Sequence, residues 1–146
     1  VVFILLFGPV PEEIGWRGYA LDRLQARWSA GVSSLILGAV WALWHLPLFF
    51  IEGNYHQGLG VGTTGFWLFV GNLILLSVVM TWIYNNTHRS TLSAILFHFM
   101  INFIGELFAL SNMAEVYQFL VWGGVVLGVV LMWKADTVDQ TVEAGH

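Results

Sequence analysis

The sequence predicts an all-α fold, a polytopic bundle of about five transmembrane helices, and three observations lead to it. Of the 146 residues, 58% are hydrophobic. Five Lys and Arg plus nine Asp and Glu make up only 10% of the chain, where about a quarter is ordinary for a soluble domain. That leaves too little polar surface to coat a soluble globule, so lipid covers much of it. The apolar residues also gather into long stretches close to the roughly 17–25 residues that cross a bilayer.

The first such stretch, Val1 to Gly8, lacks the charged flank of a signal peptide and is expected to be the tail of a membrane helix truncated at its N-terminus. Pro11 is expected to start or kink a helix running to about Arg27, with a turn near Trp28 to Ala30. Four further spans are expected at Gly31 to Ile51, Leu59 to Tyr84, Leu92 to Leu110 and Val116 to Trp133. Residues 1–134 form one helical unit and 135–146 a polar, frayed tail. Strict alternation of five helices puts Arg17, Arg23, Arg27, Arg89 and Lys134 on one side, which the positive-inside rule makes cytoplasmic.

Composition also removes several functions. With no cysteine there is no disulfide framework, no Cys-ligated zinc and no thiol nucleophile. Five basic residues and a net charge of -4 leave no footprint for nucleic acid.

Ionisable groups at membrane depth are costly and face a protein interior or a wet cavity, which makes them functional candidates. This chain has Glu12, Glu13 and Arg17 after Pro11, His45 late in the second span, and His98, Asn102 and Glu106 in the fourth. Glu13 and Arg17 are spaced i,i+4 with the acid N-terminal, the better order for an intrahelical pair, so they read as structural support. Glu12 points about 100° away on the same helix and stays free of Arg17. His98 and Asn102, and likewise Trp41 and His45, share one helical face. Counting along the hairpin places Glu12 level with His45, and His98 at a similar depth, on the basic side of the midplane.

A carboxylate and two imidazoles around a wet cavity can activate water against an amide. Glu12 is the candidate general base. His45 could help hold the water, and His98 with Asn102 could donate to the developing oxyanion. Two His and one Glu, here Glu12, His45 and His98, also make a catalytic zinc set, so metal-free and zinc-assisted routes stay open.

Three motifs carry a family resemblance. Pro11-Glu12-Glu13-Ile14-Gly15-Trp16-Arg17-Gly18 resembles the EExxxR motif of the CPBP intramembrane proteases, which include CAAX prenyl endopeptidases and bacteriocin-processing or abortive-infection proteins. Trp41-Ala42-Leu43-Trp44-His45 is similar to its FxxxH motif, with Trp in place of Phe, an exchange expected to alter packing more than chemistry. His98-Phe99-Met100-Ile101-Asn102 resembles its HxxxN motif. The match runs over roughly Phe7 to Ile104. It implies an intramembrane protease with Glu12 catalytic, His45 at the water, His98 and Asn102 at the oxyanion, and a membrane-associated peptide or protein as substrate. The expected setting is a prokaryotic cell membrane with the active site toward the cytoplasm.

Blander readings apply elsewhere. His56, His88 and His146 fall in loops or tail and read as surface residues, and Glu106 as a water-facing or satisfied group. An ion-coupled transporter subunit would also bury carboxylates and His, but no internal repeat is visible. A non-catalytic membrane immunity protein would be signalled by loss of Glu12 or a His, and all are present.

Overall fold

The computed structural model describes residues 2–108 and 112–143, and among these every regular element is helical. The N-terminal segment is a broken helix: α1 Val2–Phe7, α2 Pro9–Gly15, a π-helical turn Trp16–Ala20, and α3 Leu21–Gln25. Gly8 breaks the ladder with φ -121° and ψ -92°, and Pro9 opens α2 because its missing N–H costs nothing at a first turn. The helix start therefore lies two residues before the expected Pro11.

Ser29 ends the connection by accepting the Val32 N–H at 3.3 Å, capping α4 Ala30–His45. A 3-10 turn Leu46–Phe50 continues α4, since Pro47 sits where its missing N–H is tolerated. A short α5 Tyr55–Leu59 follows, then α6 Thr64–Asn86 capped by Thr63, α7 Thr91–Phe108, and α8 Asn112–Glu143. The last helix runs past Lys134, so the expected frayed tail is helical to Glu143.

Three segments, Ala30–Phe50, Thr64–Asn86 and Val116–Lys134, are long and apolar enough to cross a membrane, and Thr91–Leu107 is a shorter apolar helix. The all-α membrane bundle is the fold. A helix pairs its backbone polar groups within its own segment, as a hydrocarbon surrounding demands.

Helices α4 and α6 form the most extensive pair, and Gly38 explains how closely they approach. A Cβ there would stand 2.8 Å from the Ile74 Cα, so only glycine permits the crossing. At the basic end, Gln25 and Asn85 exchange two amide hydrogen bonds of 3.2 and 3.0 Å, and Tyr84 donates to Asp22 at 3.2 Å. Leu21, Leu37 and Tyr84 pack beneath them as one buried cluster. A second cluster, including Trp41, Leu76, Met80 and Ala94, joins α4, α6 and α7 one turn further in.

Candidate active site

The second cluster borders a cavity of about 820 Å³, within the range of small-molecule and peptide pockets. Glu12, His45, His98 and Asn102 all line it, contributed by α2, α4 and α7. The four sequence-predicted residues are therefore brought together.

The second helix and the π turn set the floor. Glu13 and Arg17 are both fully buried, and Arg17 Nη1 donates to the two Glu13 oxygens at 3.0 Å each. The expected i,i+4 pair is present. Glu13 has a second partner that the spacing could not reveal, because it lies 85 residues away: His98 Nδ1 donates to Glu13 Oε1 at 2.9 Å. The carboxylate thus orients a cavity-lining imidazole in addition to holding Arg17. A pairing of carboxylate to His Nδ1 fixes the ring and directs the function to Nε2.

Glu12 has no bond to Arg17 among the described residues, and its partner comes from α4. Trp41 Nε1 donates to Glu12 Oε2 at 2.7 Å, from an indole only 2% exposed. Replacing the motif's Phe by Trp was expected to touch packing; the structure adds a hydrogen-bond donor to the carboxylate. The same indole lies under the Arg17 guanidinium, 5.1 Å from the ring centroid, an attractive cation–π placement. One turn on, His45 Nδ1 donates to the Trp41 carbonyl at 2.8 Å, leaving its Nε2 for other partners.

One finding departs from the sequence reading. The cavity lining also includes Asn54, His56, Glu106 and Gln118. His56, read as a surface residue, also lines the cavity: α5 folds back over it, and the ring centroids of His56 and His45 are 5.8 Å apart. Only its place in a polar loop between two spans hinted at this.

Glu12, His45 and His98 share the cavity, but among the described residues no three His, Cys, Asp or Glu side chains are grouped to hold one ion. Trp41 packs edge-on against both imidazoles, with centroids 5.9 Å from His45 and 5.2 Å from His98. The donors as arranged do not fit a metal centre.

Comparison with known proteins agrees with the motifs. Residues 1–104 match the model of the type II CAAX prenyl endopeptidase Rce1-like family. Over 132 residues the chain is 35% identical to CAAX prenyl protease 2 of Methanococcus maripaludis, covering 87% of this chain and 49% of that protein. It spans about half the length of that curated relative. With a family match across more than half its residues, this integral membrane protein belongs to the type II CAAX prenyl endopeptidase Rce1-like family.

Proposed function

We propose that this chain carries the catalytic core of an intramembrane endopeptidase that hydrolyses a peptide bond in a membrane-associated substrate of the CAAX prenylated type. The observation that carries the reading is the meeting of Glu12, His45, His98 and Asn102 from three helices around one cavity. The name of the Methanococcus relative supports the substrate class.

In this mechanism Glu12 accepts a proton from a cavity water, whose oxygen attacks the scissile carbonyl. Trp41 ties Oε2 of the carboxylate, so Oε1 is the oxygen presented to water. His45, anchored through Nδ1 to the Trp41 carbonyl, offers Nε2 to hold that water. The tetrahedral oxygen is stabilised by the Asn102 amide and by His98. With its Nδ1–H committed to Glu13, His98 donates to the oxyanion through Nε2–H, which requires both ring nitrogens to carry a proton at that step. Glu12 then passes its proton to the departing amine as the carbon–nitrogen bond breaks, and the carboxylate is regenerated.

The test is cleavage of a farnesylated CAAX-type peptide by the purified full-length protein, with products identified by mass spectrometry. Scission within the C-terminal segment, lost in Glu12→Gln, is the expected result. Intact peptide after prolonged incubation with well-folded protein refutes the reading.

A further inference from the structure

The turn over the cavity mouth holds its own histidine in a fixed state. Asn54 caps α5 with its side-chain oxygen, which accepts the His56 backbone N–H at 3.1 Å and the His56 ring Nδ1–H at 2.8 Å. One acceptor thus fixes both the backbone entry and the imidazole tautomer. The ring is held by edge contacts with Phe69 at 4.8 Å and Phe49 at 5.3 Å between centroids. Nε2 is left with no partner among the described residues, in a ring that lines the cavity. Burial, with a smaller contribution from the neighbouring His45, pushes the imidazole down to about 4, so near neutral pH it is uncharged and Nε2 is a bare acceptor.

A peptide entering a cavity inside a membrane protein brings backbone N–H groups that lose their water, and each unpaired one is costly. The mouth must therefore offer acceptors. Asn54 Oδ1 is already used twice. Glu106 lines the same mouth but is exposed, so it would lose side-chain entropy on binding, whereas His56 is already immobilised.

We infer that His56 is a substrate-positioning residue, whose Nε2 accepts a backbone N–H of the substrate at the mouth of the cavity. The inference rests on the endopeptidase reading for its substrate. The 5.8 Å between the His56 and His45 rings sets the register. At about 3.3 Å per residue of extended chain, the bonded amide lies roughly two residues from the scissile bond.

The test is a binding cycle, independent of turnover. The full-length protein carrying Glu12→Gln is titrated against a fluorescently labelled farnesylated CAAX-type peptide and against versions N-methylated at one amide at a time. Dissociation constants come from fluorescence anisotropy, with melting curves for every variant. Adding His56→Phe is expected to weaken binding about 2–12-fold, the range for one net hydrogen bond. One N-methyl penalty, about two residues from the cleavage site, should disappear in that variant, and His56→Gln, which keeps an acceptor, should recover part of the affinity. Unchanged affinity in His56→Phe, or additive penalties at every amide with both variants folded, overturns the inference. Cleavage by the wild-type protein is scored separately. An intact cycle without cleavage sinks the enzymatic reading alone, and cleavage without a cycle sinks this contact alone.

Discussion

Replacing Trp41 by Phe isolates one hydrogen bond at the proposed catalytic carboxylate. The substitution keeps a six-membered ring under Arg17 and against His45 and His98, and removes the N–H that reaches Glu12 Oε2 at 2.7 Å. Phe is also the residue of the usual family motif, so folding should tolerate it. A hydrogen bond to a charged group contributes about 1.5–3 kcal/mol, and each 1.36 kcal/mol is a tenfold rate change, which brackets the loss at about 10–150-fold. Glu12 borders a cavity that water can enter, and a water in place of the indole N–H recovers part of that, so the expectation is near the lower end, about tenfold. The loss should fall on kcat, because the bond orients the base and does not touch the substrate. The assay is single-turnover cleavage at saturating farnesylated peptide by the full-length protein, with melting curves for both forms. A variant that turns over within about twofold of wild type would refute an orienting role for Trp41. A loss that tracks a lowered melting temperature would assign the indole to packing.

Four further outcomes follow from the same geometry. Glu12→Gln keeps the volume but cannot take the proton, so cleavage should fall roughly 10²–10⁴-fold with the melting curve unchanged; near-normal cleavage would remove the water-activation step. Asn102→Ala should cost about 10²–10³-fold in kcat, as loss of one oxyanion donor does, and a KM effect alone would place Asn102 in binding. Arg17→Ala leaves Glu13 buried with only His98 beside it, and breaking a buried pair from one side costs about 3–5 kcal/mol, to be read as lost folded yield and a lower melting temperature. Normal stability with lost turnover would instead put Arg17 in the catalytic set. Cysteines introduced as Asn54→Cys and Thr87→Cys should react with an impermeant thiol reagent from opposite membrane faces, and the face that labels Asn54→Cys is the side from which substrate enters; labelling of both from one face would contradict the fold.

By itself the sequence determined the membrane class, the helical content, the basic end and the i,i+4 pair of Glu13 and Arg17. These depend on composition and on contacts within one helix, where spacing alone sets geometry. It also brought forward Glu12, His45, His98 and Asn102, because polar groups in apolar helices stand out against their surroundings. The tertiary structure decided the rest. Trp41 reaching Glu12 across 29 residues and His98 reaching Glu13 across 85 are contacts between helices, invisible to periodicity within any one of them. The Gly38 crossing, set by how near two backbones come, fixes which faces of α4 and α6 border the cavity. His56 belongs to the same lesson: in sequence it is a loop histidine, and only the turn of α5 over the cavity, held by Asn54 and the Phe49 and Phe69 rings, gives it a place beside His45.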